Sequence, residues 1–316
     1  MNAGDEQSQS CWMDSLPDVH APPLGQDARC DVVVVGSGIA GTSIAYELAR
    51  FGRWVIVIDR GRIGSGMTAR TTAHLSSALD DYYSELVKAR GEDEAHLYYD
   101  SQVAAINRME AICRDEAIAA DFVRLDGYLF AAQDDARAAI EAEYEASMAI
   151  GMDVSWVDRA PVPGRDTGRA LRFTGQARVH PMRYLSGLVG ACGRLGVKFH
   201  ADTAYLDHRE STDGVEITTD GGPAIRAAAA IFATNSPVND TVAIHTKQEP
   251  ARTYVIAGPV ARHSVVDALV WDSADPYHYV RLQPLSKAED LLIIGGEDHR
   301  TGEADDMDAR FAALVR

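Results

Sequence analysis

The stretch Asp31-Val32-Val33-Val34-Val35-Gly36-Ser37-Gly38-Ile39-Ala40-Gly41 decides the fold of this 316-residue chain. Its unbroken run of valines predicts a buried parallel strand, because helices cover both faces of such a strand. Three glycines follow, and the apolar spacing after them predicts a helix. In a unit of this kind the glycines form a tight turn and let a pyrophosphate approach the backbone at the helix N-terminus. The stretch therefore predicts a Rossmann-like unit that binds a dinucleotide.

A second apolar run, Val55–Ile58, ends in Asp59. This acidic residue stands roughly 20 positions beyond the glycines, where such units place a carboxylate against a ribose hydroxyl. A tight glycine turn without a ligand is the alternative explanation. Strand, glycines, helix, second strand and terminal acid occur here in one continuous order, and that order favours the ligand.

The charge of the chain excludes several classes of partner. It has 30 basic and 47 acidic residues and a formal net charge of −17. Such a surface repels nucleic acid and anionic membranes, so we expect neither as a partner. The acidity would steer cationic substrates such as amines. Plain solubility is the favoured explanation, because the charges are spread along the chain.

The chain lacks the sequence signals of export, membrane insertion and metal binding. No apolar run reaches the ~18 to 20 residues that cross a bilayer, and residues 1–6 have no signal-peptide character. Its 4 cysteines are scattered, which predicts free thiols and no metal site. We therefore predict a cytoplasmic protein.

The loop after Asp59 is unusual for a nicotinamide-binding domain. Residues 60–74 alternate small residues and hydroxyls with arginines, a composition that suits a backbone lying along an extended phosphorylated ligand. An ordinary polar surface loop is the alternative. The position and length of the loop favour the ligand.

The rest of the chain predicts a second, α+β domain. Helical spacing covers most of 80–119 and 135–150, and antiparallel strands are expected across 254–296. The segment 122–131 contains Asp-Gly between apolar residues, which predicts a β-hairpin. Residues 1–27 predict an extended N-terminal arm, whose Trp12 either packs on the body of the protein or is exposed.

The glycine stretch, Asp59, Gly64-Ser65-Gly66 and Ala233-Thr234-Asn235 together resemble the D-amino-acid oxidase-like FAD-dependent oxidoreductases, which include glycine and sarcosine oxidases. Segments 66–75 and 235–240 resemble a bacterial subgroup in which a C-terminal Rieske iron–sulfur domain follows the oxidoreductase. The resemblance covers nearly all of residues 30–300.

The resemblance implies an α/β fold in which a substrate domain is inserted into a Rossmann-like FAD-binding domain. The FAD-binding domain would comprise residues 28–82 and 172–236. The α+β substrate domain would comprise residues 83–171 and 237–316, built on a mixed or antiparallel sheet. The family usually has Glu at the ribose position, where this chain has Asp59.

The resemblance also implies which residues bind FAD. They are Gly36, Ser37, Gly38, Ile39, Ala40, Gly41, Asp59, Arg60, Ser65, Gly66, Thr68, Arg70, Thr71, Thr72, Ala204, Tyr205, Ala233, Thr234 and Asn235. Some relatives attach FAD covalently through a histidine in the loop after the second strand. Arg70, rather than His74, matches that position, so we expect non-covalent FAD.

No catalytic residue can be assigned from the sequence, and the candidates for substrate contact are Tyr277, Tyr279 and Arg281. An arginine there would hold a substrate carboxylate through paired hydrogen bonds. Half-buried strand tyrosines and a surface ion pair of Arg281 are equally open. His180 is expected to be structural, and His278 has no recognisable partner.

The implied reaction is oxidation of the carbon–nitrogen bond of a small amine or amino acid by hydride transfer to flavin. Electrons would pass to oxygen or to an iron–sulfur acceptor, in a further domain or another protein. The family's last FAD-contacting segment and the Rieske ligands are not matched before Arg316. We therefore expect a truncated chain, with a [2Fe-2S] cluster only in a full-length form. A truncated FAD-binding protein without turnover is the alternative, and a nicotinamide-dependent dehydrogenase is less favoured.

Overall fold

The computed structural model describes residues 9–238, 250–302 and 306–315. The chain forms two compact units. The first comprises the described residues of Met1–Thr71, Ile112–Ala120 and His180–Gln248, and the second those of Thr72–Ala111, Asp121–Val179 and Glu249–Arg316. The division into functional domains given above stays a prediction.

The described strands are β1 (Ala28–Val35), β2 (Val55–Ile58), β3 (His74–Leu75), β4 (Val123–Phe130), β5 (Val154–Val157), β6 (Ala170–Arg178), β7 (Lys198–His200), β8 (Tyr205–Ser211), β9 (Gly214–Thr219), β10 (Ala224–Phe232), β11 (Ala251–Ala261), β12 (Leu269–Asp272), β13 (His278–Pro284) and β14 (Glu289–Arg300). The described helices are α1 (Ile39–Arg50), α2 (Tyr83–Arg90), α3 (Glu92–Asp115), α4 (Arg137–Ala149), α5 (Pro181–Arg194) and α6 (Met307–Leu314).

The first unit contains a six-stranded sheet in the order β7-β2-β1-β10-β9-β8. The strands β7, β2, β1 and β10 are parallel, whereas β9 and β8 continue the sheet antiparallel. Val33, Val34, Val57 and Ile58 are fully buried, as an apolar run in a covered parallel sheet requires. The predicted βαβ unit is confirmed as β1, α1 and β2.

The second unit contains an eight-stranded mixed sheet in the order β11-β14-β13-β12-β4-β6-β3, with β5 paired to β6. The pair β12 and β4 is parallel, and the other pairs are antiparallel. Tyr83 of α2 and Ile140 of α4 pack with Leu129, Leu171 and Phe173 of the sheet in one core. The mixed α/β fold class predicted from the sequence is confirmed.

The hairpin predicted at 122–131 is wrong, because this segment is the single strand β4. A β-bulge between Leu125 and Gly127 breaks its register with β6. A Cβ atom on Gly127 would lie 2.8 Å from the indole ring of Trp271. The glycine therefore makes room for a ring from another strand, and the chain does not turn there.

Trp12 anchors the N-terminal arm to the first unit. Its side chain is buried, its Nε1 donates to the carbonyl of Thr71 at 2.7 Å, and its ring meets that of His180 edge-on at 4.8 Å. His180 is structural, as predicted: its Nδ1 accepts the N–H of Arg183 and so caps α5, which begins at Pro181.

None of the helices in the described ranges combines the length and apolarity that a bilayer crossing needs.

Candidate functional site

The turn between β1 and α1 requires glycine at two positions. Gly36 has φ +107°, and a Cβ atom there would lie 2.4 Å from the carbonyl oxygen of Ala233. A Cβ atom on Gly41 would lie 1.9 Å from the carbonyl oxygen of Gly36. The N–H of Gly36 donates to the carbonyl of Ile58 at 2.8 Å, which joins the turn to β2. No other residue type would allow this packing.

Gly38 is the N-cap residue of α1 and has no side chain with which to cap the helix. Within 4 Å, a Cβ atom on Gly38 would meet the Oγ1 of Thr68 alone, at 3.1 Å. That hydroxyl also accepts the N–H of Ile39 at 3.0 Å. A helix N-terminus that begins at a glycine suits the pyrophosphate of a dinucleotide. The turn therefore fits the pyrophosphate of a dinucleotide, and the assignment of FAD to it stays a prediction.

Asp59 is held by the same turn. Its Oδ2 accepts both the N–H of Ser37 at 2.7 Å and the hydroxyl of Ser37 at 2.6 Å, and its Oδ1 accepts the N–H of Gly61 at 3.1 Å. A carboxylate has about four acceptor positions, which leaves one for a ribose hydroxyl. The fully buried Ser37 thus orients Asp59, the residue predicted to bind the ribose. Sequence reasoning missed this role of Ser37.

The loop after Asp59 folds back on itself before it reaches β3. Met67–Arg70 forms a 3₁₀ turn, and the Nη1 of Arg70 donates to the carbonyl of Ser65 at 3.2 Å. Thr68 is buried, whereas Arg60, Gly66 and Thr71 are exposed. The structure thus brings the hydroxyl of Thr68 to the glycine turn, while Arg60 lies on the surface.

The segment Ala233-Thr234-Asn235 closes the carboxyl end of β10. The N–H of Ala233 donates to the carbonyl of Val35 at 2.8 Å, and Asn235 has φ +64°. These contacts bring Ala233 to the glycine turn. The last two residues of the segment 235–240, Asn239 and Asp240, lie outside the described residues.

The family resemblance implies that the backbone near Ala204 and Tyr205 meets the adenine of FAD, and these residues lie at the start of β8. The N–H of Ala204 donates to the Oδ1 of Asp220 at 2.9 Å, and its carbonyl accepts the N–H of Asp220 at 3.0 Å. Because a carbonyl oxygen has two lone pairs, a nucleobase contact at Ala204 would use the second one.

In the second unit, Tyr277 and Tyr279 form an aromatic pair, with ring centroids 5.6 Å apart. Tyr279 also meets His74 edge-on at 5.2 Å. Gly295 of β14 lies directly opposite Tyr279, and a Cβ atom there would lie 2.3 Å from the tyrosine ring. The missing side chain of Gly295 therefore makes room for the ring of Tyr279.

Carboxylates surround this aromatic pair. The hydroxyl of Tyr277 donates to the Oδ2 of Asp80 at 3.4 Å, and Thr253 donates to Asp298. Loss of water around the Asp80 carboxylate raises its pKa, and the charges of Asp81 and Asp298 raise it further. Burial, together with Asp80 and Asp298, raises the pKa of Tyr277. Two carboxyl groups, those of Asp80 and Asp298, thus lie near the tyrosine pair.

Arg281 lies in a different environment from the one predicted. It is fully buried. Its N–H groups donate to oxygens of the protein: Nη1 to the carbonyls of Thr72 (2.9 Å), Ala73 (2.7 Å) and Val179 (3.2 Å), Nε to that of Leu282 (3.2 Å), and Nη2 to the Oε1 of Gln283 (2.6 Å). A guanidinium has five N–H donors in a fixed fork, and this set engages all three of its nitrogens. The geometry argues against a contact between Arg281 and a substrate carboxylate.

His74 is uncharged at neutral pH. Burial lowers the pKa of His74 to about 3, and the charge of Arg281 contributes to that shift. Its Nδ1 lies 3.3 Å from the hydroxyl of Thr72, and its buried Nε2 has no hydrogen-bond partner among the residues described.

The structure gives His278 two carboxylate partners that the sequence did not reveal. Its Nδ1 lies 3.0 Å from the Oδ2 of Asp272, and its Nε2 lies 3.1 Å from the Oε1 of Glu297. Burial alone would lower the pKa of His278, but hydrogen bonding to Glu297 and the charge of Asp272 outweigh it, and the pKa is raised. Asp272, His278 and Glu297 lie on β12, β13 and β14, and no local sequence signal links the three strands. The cluster could therefore not be predicted from the sequence.

Comparison with known proteins gives the chain a family context. Residues 31–316 match the family model described as FAD dependent oxidoreductase. YhfW of Bacillus subtilis, which is named as a Rieske 2Fe-2S iron–sulfur protein, is 27% identical over 98% of this chain and 60% of its own length. Gamma-glutamylputrescine oxidoreductase of Escherichia coli is 24% identical over 90% of this chain and 68% of its own length.

Among solved structures, glycine oxidase from Geobacillus kaustophilus superposes with a TM-score of 0.69 at 20% identity, over 91% of this chain and 78% of that one. L-proline dehydrogenase from P. horikoshii superposes with a TM-score of 0.68 at 16% identity, over 92% and 77% of the two chains. These likenesses bear on the fold. The chain spans 60% of the length of YhfW and 64% of the probable oxidoreductase OrdL of Haemophilus influenzae.

Proposed function

The chain belongs to the family of FAD-dependent oxidoreductases, and from that premise we propose that it is an enzyme that oxidises the carbon–nitrogen bond of a cationic amine. The observation that carries the FAD assignment is the glycine turn of the first unit. Its geometry excludes side chains at Gly36 and Gly41 and leaves Gly38 without a capping side chain beside Asp59.

The first unit would hold FAD through groups that are already ordered. The N-terminus of α1 at Gly38 would bind the pyrophosphate, and the remaining acceptor position of Asp59 would bind a ribose hydroxyl. Bound FAD supplies hydride acceptance, by which an amine is oxidised to an imine while the flavin is reduced. We propose non-covalent binding, since Arg70 stands where a histidine would attach the flavin and bonds to Ser65 of its own loop.

The second unit supports an amine rather than an amino acid as the substrate. The guanidinium of Arg281 is buried among carbonyls, which argues against its use for a substrate carboxylate. Asp80, Asp298 and the faces of Tyr277 and Tyr279 instead favour a positive charge, through charge pairing and cation–π contact. We therefore propose a substrate that carries a cationic group in addition to the amine that is oxidised.

The proposed roles are those of binding and orientation. Tyr277 and Tyr279 would orient the substrate, and Asp80 would pair with its cationic group. The pKa of His74, lowered to about 3, keeps this imidazole uncharged, so it would not repel such a substrate.

The variant Gly38→Ala tests the FAD assignment. An added methyl group would meet the Thr68 hydroxyl alone within 4 Å, so we expect the variant to fold. We expect its FAD affinity to fall at least about tenfold, the effect of losing about 1.4 kcal/mol of pyrophosphate contact. The measurement is fluorescence titration of FAD-stripped protein with FAD and, in parallel, with NAD.

The matched control is Gly193→Ala, because a Cβ atom at this exposed helical position meets nothing within 4 Å. The control should bind FAD like the unmodified chain. Equal FAD affinity in Gly38→Ala and the unmodified chain would contradict the pyrophosphate assignment, and tighter binding of NAD than of FAD would contradict the choice of cofactor.

A further inference from the structure

Arg281 is fully buried in the second unit and makes more hydrogen bonds than a surface residue of a sheet would. Among the described residues, Arg281 has the largest fully buried side chain, and this side chain is a cation. A buried charge is costly unless hydrogen bonds compensate for it. The structure supplies this compensation from main-chain oxygens, so the position of Arg281 is coupled to the path of the backbone around it.

The carbonyls that Arg281 binds come from separate segments of the chain. Thr72 begins one of the segments that make up the second unit, and Val179 ends another. The Nη2 of Arg281 donates to Gln283, and the Nε2 of Gln283 donates to the Oδ2 of Asp121 at 2.9 Å. Asp121 is the first residue of the segment that ends at Val179. Arg281 and Gln283 lie in a third segment. Together they bind residues at three segment boundaries of this unit, namely Thr72, Asp121 and Val179.

One of these contacts bears directly on the loop proposed to bind FAD. Ala73 has φ +57°, a left-handed conformation that is unfavourable for a residue with a side chain. The Nη1 of Arg281 donates both to the carbonyl of Ala73 and to the carbonyl of the preceding Thr72. Because both carbonyls accept from the same nitrogen, Nη1, these hydrogen bonds favour this conformation over the extended one.

We infer that Arg281 is a positioning residue that holds the Thr72–Ala73 backbone in the shape that the FAD-binding loop requires. This inference rests on the proposed function, because Thr72 is one of the proposed FAD contacts. Arg281 touches neither FAD nor substrate in this role, and acts through the two carbonyls that it binds.

The test compares FAD affinity in Arg281→Gln and Arg281→Lys by titration of FAD-stripped protein. We expect Arg281→Gln to lose FAD affinity by about tenfold or more, since the Nη1 hydrogen bonds to the carbonyls of Thr72 and Ala73 are lost. Arg281→Lys should recover part of the affinity, because an ammonium group reaches one or two carbonyls without the fork. The visible absorption spectrum of the flavin that remains bound should shift in Arg281→Gln, as its contacts with the loop change.

The matched control is Arg178→Gln. Arg178 is also buried in the second unit, but it pairs with Asp267 at 2.7 Å and with the carbonyl of Asp121 at 3.2 Å. We expect both glutamine variants to lose thermal stability, and the Arg281 variant alone to lose FAD affinity. If Arg281→Gln does not fold, the comparison of Arg281→Lys with Arg178→Lys distinguishes the same two outcomes.

Three results would overturn the inference. The first is equal FAD affinity in the folded Arg281 variants and the unmodified chain, and the second is an equal loss in the Arg178 control. Both leave the proposed function intact, because the unmodified chain still binds FAD. The third, an unmodified chain that binds no FAD, would overturn the proposed function together with the inference.

Discussion

At the scale of single residues, the pKa values of His74 and His278 in the second sheet are shifted in opposite directions, although burial lowers both. His74 is held neutral, whereas His278 lies between the carboxylates of Asp272 and Glu297, which raise its pKa. A histidine whose pKa is raised on folding contributes stability that is fully present below its unfolded pKa of about 6.5. That contribution is lost as the pH rises through the folded pKa.

The variant His278→Gln tests this sign. We expect it to lower the free energy of unfolding by about 1.5–3 kcal/mol at pH 6, the range for hydrogen bonds to charged groups, and by less at pH 9. Urea unfolding of the variant and of the unmodified chain at both pH values measures the difference. The exposed His20 gives the control His20→Gln, which should change the free energy of unfolding by no more than about 0.5 kcal/mol, as surface substitutions usually do. A stability loss that grows from pH 6 to pH 9 would contradict a raised pKa of His278.

At the scale of elements, Gly127 decides the shape of β4. The ring of Trp271 covers this glycine and stacks on Phe173 at a centroid distance of 5.7 Å. We expect Gly127→Ala to lower the free energy of unfolding by about 1–3 kcal/mol, because the new methyl group overpacks the core. Thermal unfolding of the variant measures this loss.

The control is Gly258→Ala on β11, where a Cβ atom meets nothing within 4 Å. This variant should be neutral or up to about 1 kcal/mol more stable, since alanine loses less backbone entropy on folding. Equal effects of the two substitutions would show that the packing of Trp271 does not explain Gly127.

The elements also show how far the sequence could predict the structure. The βαβ unit follows from local signals, namely the valine run, the glycines and the helical spacing, and the structure confirms it. The strand β4 was mistaken for a hairpin because Asp126-Gly127 has the composition of a turn, whereas the ring that needs the glycine comes from Trp271, far along the chain. The burial of Arg281 was not predicted for a similar reason: the carbonyls of Thr72 and Val179 are long-range partners without a local signal.

At the scale of the whole molecule, each unit contributes its own part of the proposed function. The first unit has a glycine turn that fits a dinucleotide, and the family match makes FAD the expected one. The second unit has a tyrosine pair among carboxylates, and its buried arginine is turned toward the backbone. The net charge of −17 agrees with a cationic substrate, although it does not by itself select one.

The most direct test of the proposed function is the visible spectrum of the purified chain, recorded before and after anaerobic addition of 1,4-diaminobutane or of 1-aminobutane. We predict a bound flavin whose absorbance is bleached by an amine, and faster by the diamine, because its second ammonium group pairs with Asp80. The variant Asp80→Asn should lose this preference and keep the flavin. A colourless chain that takes up no FAD, or a flavin that no amine bleaches, would contradict the central claim.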